Sequence, residues 1–247
     1  MSSMNLEKEN LFNLVSLWKL MGAKESELDS TANLYRCSMW PNKHWLEGED
    51  LFSPEPGQLK ASIDQSHIDA VFPVWGSYDQ LEAVLKQKDF VFRSEQIAMY
   101  VELASHSYSP EQGLVLREVK DAELLKLWGA LGSSAFGYQI NFSVMEKLLN
   151  QNNVIIEVGY YADHPVATVL SYVTGDVLGI HQVGVVSDMR GKQIASKIMH
   201  AVLSRGKKDG VKYATLQASP LGINIYKRLG FQEQFVIRNF QRDNQEK

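Results

Sequence analysis

The sequence predicts a mixed α/β fold in which a mostly antiparallel central sheet is flanked by helices. Three observations carry that expectation. Apolar runs of strand length at 114–119, 154–161, 166–174, 177–186, 213–217 and 231–240 alternate with helical periodicities, chiefly at 122–131 and 194–207. The runs at 154–161, 166–174 and 177–186 are separated only by Ala162-Asp163-His164-Pro165 and Gly175-Asp176, turn chemistry that makes them consecutive antiparallel strands. Asp121 stands where a helix N-cap belongs, and Gly210 where a C-cap glycine belongs. The order from Leu114 onward is then β-α-α-β-β-β-α-β-α-β, a layered α/β arrangement.

Along the chain, Leu11, Leu14, Val15, Leu17 and Trp18 recur at helical spacing and open it with an amphipathic helix. The stretch 34–45 is mixed and aromatic-rich. Residues 47–66, with Pro54, Pro56 and Gly57, read as loop. A strand at 70–75, a helix at 81–88 and an extended segment at 90–103 with a break near Ser94 follow. Trp40, Trp45 and Trp75 are expected in the core of this part, with the wall of a ligand cleft at the domain junction as their alternative place. The polar run 105–113 (Ser105, His106, Ser107, Ser109, Pro110, Gly113) is the best linker candidate, which divides the chain into 1–109 and 110–247. Beyond it, 132–141 reads as a loop, Ser143 opens a short helix with Met145, Leu148 and Leu149 on one side, and 222–229 is a last helix. Ile194, Ile198, Met199, Val202 and Leu203 form the inward stripe of the helix at 194–207. A weak internal repeat aligns Leu85-Lys86-Gln87-Lys88-Asp89-Phe90 with Tyr226-Lys227-Arg228-Leu229-Gly230-Phe231.

Composition narrows the function. With 45% hydrophobic and 22% charged residues in 247, the chain is an ordinary globular protein with enough apolar material for a core. Twenty-nine acidic against 25 basic residues, a net charge of -4, argues against a general nucleic-acid partner. No run approaches the ~20 apolar residues a membrane span needs, and Glu7 and Glu9 precede Leu11 where a signal peptide would be basic, so the expected location is the cytoplasm. Cys37 is the only cysteine, so no intramolecular disulfide or thiolate cluster forms, and a buried, inert thiol is expected. His44, His67, His106, His164 and His200 show no metal-ligand spacing, so no metal is expected. No Gly-x-Ser-x-Gly elbow, phosphate-binding Gly-Lys-Ser/Thr loop or Gly-x-Gly-x-x-Gly fingerprint is present.

The chemistry concentrates between Gly179 and Phe231. A strand runs into the turn Arg190-Gly191-Lys192-Gln193 and then into a helix beginning Ile194-Ala195-Ser196. Unpaired amides and the dipole at a helix N-terminus favour an anion such as a phosphate, and Arg190, Lys192 and Lys197 add positive charge. Gln193 adds bulk where close approach of backbone to phosphate favours glycine, which predicts weakened binding. Tyr226 has a phenol that stays protonated at neutral pH and can donate. His181, whose alternation matches Val183 and Val185, and Glu157 are the two candidate bases.

From Leu114 onward the chain resembles the GCN5-related N-acetyltransferase (GNAT) superfamily. Arg190-Gly191-Lys192-Gln193-Ile194-Ala195 matches the family's Arg/Gln-x-x-Gly-x-Gly/Ala turn at its first and last positions, with Gln193 in place of the central glycine. The second signature, a polar residue and then a helix ending Tyr-x-x-x-Gly-Phe, is complete from Ser219 to Phe231. The resemblance implies acetyl-CoA as acyl donor and an amine as acceptor, by direct transfer. It implies phosphates at Arg190 to Ser196, with Ser219 nearby. It also implies a strand that splays from its neighbour so that pantetheine runs beside Val183, Gly184 and Val185, and Tyr226 as the acid at the departing sulfur. The first two helices of such folds often bound the acceptor pocket, which points to the loop 133–142 with Phe136, Tyr138 and Phe142, aromatic packing over the core being the other reading of these residues. The 1–109 region resembles the degenerate half of two-domain members. The acceptor expected is a small-molecule or N-terminal amine, and a homodimer is one open assembly state. A non-catalytic acyl-CoA-binding or partner-docking module is the alternative.

Overall fold

A computed structural model describes residues 3–29, 32–47, 63, 69–76 and 79–242. In chain order the elements begin α1 (Ser3–Leu20), β1 (Lys24–Asp29), β2 (Ala32–Arg36), β3 (His44–Glu47), β4 (Val71–Trp75), α2 (Asp79–Gln87) and β5 (Phe90–Glu102). They continue β6 (Leu114–Glu118), α3 (Ala122–Phe136), α4 (Phe142–Glu146), β7 (Val154–Tyr161), β8 (His164–Thr174) and β9 (Val177–Val185). The last are α5 (Ile194–Lys208), β10 (Tyr213–Ala218), α6 (Ile223–Arg228) and β11 (Gln232–Arg242). The loop expected at 47–66 lies, apart from residues 47 and 63, outside the described residues.

The chain forms two compact units, Met1–Ala98 with Ala218–Leu221 and Gln234–Lys247, and Met99–Gln217 with Gly222–Glu233. The division falls at Ala98 rather than inside 105–113, and the end of the chain returns to the first unit.

In the first unit, α1 turns Leu11, Val15 and Leu17 inward, as their spacing requires. β1, β2 and β3 form an antiparallel meander that the sequence reading lacks. Trp45 packs between Trp18, at 5.2 Å, and Tyr35, stacked at 5.3 Å. Trp75 is buried, whereas Trp40 is only half-buried. β4 pairs antiparallel with β11, Phe72 opposite Phe240. Cys37 is buried, and burial pushes its thiol up to about 11, which keeps it protonated and inert. β5 is continuous through Ser94. The two segments aligned in the sequence share a local helix-end geometry. Lys88 N donates to Leu85 O at 3.0 Å and Asp89 takes φ 62°, while Leu229 N donates to Tyr226 O at 3.0 Å and Gly230 takes φ 90°. Each helix ends on a left-handed residue and releases a strand.

In the second unit the strands follow the order β10-β9-β8-β7-β6. The β6-β7-β8-β9 ladders are antiparallel and β9-β10 is parallel. α3 and α5 cover opposite faces. Gly132 of α3 leaves no room for a Cβ against Ile140 and abuts Thr168, whereas Gly206 of α5 abuts Leu178, whose cross-strand partner Val173 belongs to the other face of β8. Asp121 caps α3 by accepting from Leu124 N at 2.8 Å. α3 runs on to Phe136 and ends at Gly137 (φ 76°), so the loop expected from 132 starts five residues later. α4 begins at Phe142, one residue before Ser143, because Asn141 caps it through Val144 N. α5 closes as its sequence predicts, with Gly210 left-handed and Val211 N bonded to Gly206 O at 3.0 Å.

Candidate active site

The parallel ladder between β9 and β10 is short. It pairs Val177, Leu178 and Gly179 with Tyr213, Ala214 and Thr215, and among the described residues no ladder pairing between these strands follows. The two strands therefore part just where the sequence places Val183, Gly184 and Val185. A hydrogen bond between the His181 and Gln217 side chains bridges the opening.

β9 also carries a bulge absent from the sequence reading. Opposite it, Thr168 pairs with Gly184 and Leu170 with His181, so one residue on β8 faces two on β9. Gln182 takes φ 51°, and the Thr168 hydroxyl donates to Gln182 O at 2.8 Å, satisfying a carbonyl at the bulge. Cross-strand partners share a face, so His181 lies on the same face as Gly184 and not with Val183 and Val185 as unbroken alternation predicts. That face is covered by the end of α3. A Cβ at Gly184 would stand 2.9 Å from Phe136 Cζ and from Thr168 Oγ1, so only glycine fits. Phe136 stacks on Tyr138 at 5.5 Å, and Tyr138 Oη donates to Gln182 Oε1 at 3.3 Å. Tyr138 also lines a groove of about 700 Å³ between α3 and α4, with Lys126, Ser133, Gln139, Ile140 and Phe142 among its walls.

The two base candidates change character. Glu157 pairs with Val169 on β7-β8, hence with the face under α5, opposite to Gly184 and His181. There it is buried and held by both Arg205 terminal nitrogens at 2.7 Å, which leaves it a structural anion rather than a free base. Burial holds the His181 imidazole down to about 4, against the opposing pull of the Gln217 hydrogen bond. It is neutral at pH 7 and too weak to deprotonate an ammonium. Its unfolded form titrates near 6.5, so the unfolded chain binds more protons between that value and 4. Stability from this group is complete above pH 6.5 and is lost as pH falls toward 4. The variant His181→Gln is therefore expected to flatten the pH dependence of the urea midpoint across that window, and an unchanged slope contradicts the assignment.

At the turn into α5, Gly191 takes φ 79° and Gln193 φ 60°, ψ 17°. Gln193 thus holds the left-handed conformation that glycine adopts without cost. No side chain caps α5 and no acid stands in its first turn, so the amides of Ile194, Ala195 and Ser196 are the free donors of a helix start. The flanking cations are partly engaged. Arg190 donates to Ala135 O at 2.8 Å and Val185 O at 3.3 Å, Lys192 lies 3.4 Å from the Met189 sulfur, and Lys197 bonds Glu111 at 3.0 Å. Replacing Gln193 with glycine is expected to raise stability by about 0.5–1 kcal/mol, the relief of a left-handed Cβ less the added freedom of the unfolded chain. Chemical denaturation checks this, and a destabilised Gln193→Gly protein contradicts it.

Tyr226 lies on α6. The spacing Tyr226-x-x-x-Gly230-Phe231 is that of a helix C-cap: Phe231 N donates to Tyr226 O at 3.0 Å, Gly230 N to Lys227 O at 3.1 Å, and Gly230 is left-handed. The rings of Tyr226 and Phe231 meet at 5.9 Å, completing the apolar contact of that motif. A Cβ at Gly222 would stand 2.9 Å from the Tyr226 ring, so glycine there makes room for it. The Tyr226 side chain is half-buried by surface exposure but deep enough that burial pushes its phenol up to about 12. Its hydroxyl makes no hydrogen bond among the described residues. Ser219 falls in the first unit.

No helix among the described residues is long and apolar enough to cross a membrane, and none of their side chains form a group of three or more metal-binding residues. The family model described as Acetyltransferase (GNAT) family matches residues 126–231. No curated protein matches the sequence. Among solved structures, the chain is similar to a GCN5-related N-acetyltransferase from Kribbella flavida, with TM-score 0.71, 14% identity, 99% of this chain and 96% of that one. It is similar to a GCN5-related N-acetyltransferase from Sphaerobacter thermophilus, with TM-score 0.62, 14% identity and coverage of 87% and 77%. A functionally unknown conserved protein from Staphylococcus epidermidis aligns with TM-score 0.65, 16% identity and coverage of 90% and 95%. At such identities these likenesses establish the fold. The family rests on the match at 126–231: this region of the chain is a GNAT acetyltransferase domain.

Proposed function

We propose that the chain is an N-acetyltransferase that moves an acetyl group from acetyl-CoA to a primary amine by direct transfer, with Tyr226 as general acid. The observation that carries the reading is the unpartnered Tyr226 hydroxyl. The half-buried side chain makes no protein hydrogen bond that would hold its hydroxyl elsewhere, so the phenol on the family's signature helix is free to meet a ligand atom. The residues present fit acetyl-CoA: β9 has no ladder partner on its β10 side beyond Gly179, and the start of α5 offers uncapped amides. Arg190, Gly191, Lys192, Gln193, Ile194, Ala195 and Ser196 would hold the phosphates, and Val183, Gly184 and Val185 the pantetheine. Bound there, the coenzyme supplies an activated thioester.

The chain's own part is positioning and proton supply. With a phenol near 12, Tyr226 stays protonated at any working pH and donates to a departing thiolate. Phe136 and Tyr138 would bound the acceptor beside Gly184. Glu157 is paired and His181 is too weak a base, so the acceptor enters as the free amine. Accordingly kcat/KM for an amine is expected to rise with pH along that amine's own deprotonation. A profile that instead follows one fixed pKa for amines of different basicity contradicts this.

A non-catalytic acyl-CoA-binding or partner-docking module is the second reading, favoured by the engagement of Arg190 and Lys197 with protein groups. Calorimetry with acetyl-CoA, paired with thiol release over a panel of amines, separates the two. Turnover on any amine supports the enzyme, and tight binding without turnover supports the module. Absence of binding removes both.

A further inference from the structure

The stretch 105–113, composed like a free linker, is pinned at several points within the second unit. Lys207 Nζ donates to His106 O at 2.6 Å. Lys197 Nζ donates to Glu111 Oε2 at 3.0 Å and to Gln112 O at 3.1 Å, and His200 Nε2 lies 3.4 Å from Glu111 Oε1. Between these anchors Tyr108 is buried, its ring stacked with His106 and edge-on to His200, each at 6.0 Å. Its hydroxyl donates to Leu229 O at 2.8 Å, a buried bond across 121 residues of sequence.

Leu229 is the C-cap of α6, the helix that carries Tyr226. α6 has six residues and no side-chain N-cap, too short to hold its shape alone. Its C-terminal turn uses the carbonyls of Ile225, Tyr226 and Lys227 as acceptors and leaves Leu229 O over. Tyr108 supplies the missing donor. Leu229 N in turn donates to Tyr226 O at 3.0 Å, so the clamp reaches the Tyr226 backbone within one hydrogen bond. The His106 ring lies against Gly230 and leaves no room for a Cβ there, which closes the turn from the same side.

We propose that Tyr108 is a positioning residue for acetyl transfer: through Leu229 it fixes the last turn of α6 and with it the direction of the Tyr226 hydroxyl. The inference rests on Tyr226 acting as the acid, and it gives the linker-like segment a role in the reaction that neither its composition nor the family motifs assign.

The test uses the full chain with coenzyme A as probe, so it needs no identified acceptor. The pKa of the bound thiol is measured from the pH dependence of its alkylation by iodoacetamide; the one protein thiol, Cys37, is buried. A phenol aimed at the sulfur stabilises the thiolate and lowers that pKa. Four proteins are compared: native, Tyr226→Phe, Tyr108→Phe and the double variant. Tyr226→Phe is expected to raise the thiol pKa by about one unit, Tyr108→Phe by about half a unit, and the double variant no further than Tyr226→Phe alone. A role in folding alone would not produce that non-additivity. A Tyr108→Phe thiol pKa equal to the native one, or a shift that adds in full to that of Tyr226→Phe, overturns the positioning role and leaves the acid assignment standing. A Tyr226→Phe protein with the native thiol pKa, or no binding of coenzyme A, overturns the acid assignment and this inference with it. If Tyr108→Phe is not recovered folded, His106→Ala takes its place, with a rise and the same non-additivity expected and an additive or absent shift overturning the proposal.

Discussion

Tyr226→Phe is expected to lower kcat for acetyl transfer by about 100-fold, the lower end of what loss of a general acid costs, while the Kd for acetyl-CoA stays within about twofold. The low end applies because burial pushes the phenol up to about 12, which makes it a weak acid but a permanent donor. The substitution removes one oxygen and keeps the ring against Phe231. No protein hydrogen bond is lost with that oxygen, so the variant is expected to be as stable as the native chain or slightly more so, the usual sign of a group placed for function at the expense of stability. Stopped-time thiol release and a thermal scan on the same preparation check both halves. An active, native-like Tyr226→Phe enzyme removes the acid role, and an unstable one reassigns Tyr226 to packing.

The second large effect is on stability. Arg205→Ala is expected to cost about 3 kcal/mol, because it leaves the Glu157 carboxylate buried under α5 without its bidentate partner. The estimate takes the low end for such pairs because the Arg205 side chain is 33% exposed, against 4% for Glu157. Glu157→Gln keeps one hydrogen bond to the guanidinium and should cost less. In both variants acetyl transfer per folded molecule is expected to hold, since Glu157 lies on the face of the sheet away from Gly184. Urea denaturation gives the first quantity and activity normalised to folded protein the second. A large loss of normalised activity in Glu157→Gln returns Glu157 to the list of bases.

Several features were legible because their chemistry is local. Asp121 and Gly210 announce helix ends, the two short turns announce the β7-β8-β9 meander, and the Tyr226 to Phe231 spacing is that of a helix cap. What escaped depends on partners distant in sequence. Lys24–Asp29 reads KESELD, with no apolar alternation to mark a strand, and it pairs only because β2 lies beside it. Gly132 looks like a break, yet it sits inside α3 because Ile140 occupies the space a side chain would take. The β9 bulge has no glycine at its left-handed residue. Gln182 is held there by Thr168, fourteen residues away in sequence, and the bulge alone reverses which face His181 shares. Tyr108 was hidden by its neighbours: serines and a proline surround it, and only its bond to Leu229 shows that the segment is built in.

The most direct test is a crystal structure of the chain with coenzyme A. The account predicts pantetheine density along β9 beyond Gly179, the phosphates at the amides of Gly191 to Ser196, and the thiol within about 3.5 Å of the Tyr226 hydroxyl. Coenzyme bound elsewhere, or a thiol in that cleft with the Tyr226 hydroxyl turned away from it, contradicts the account.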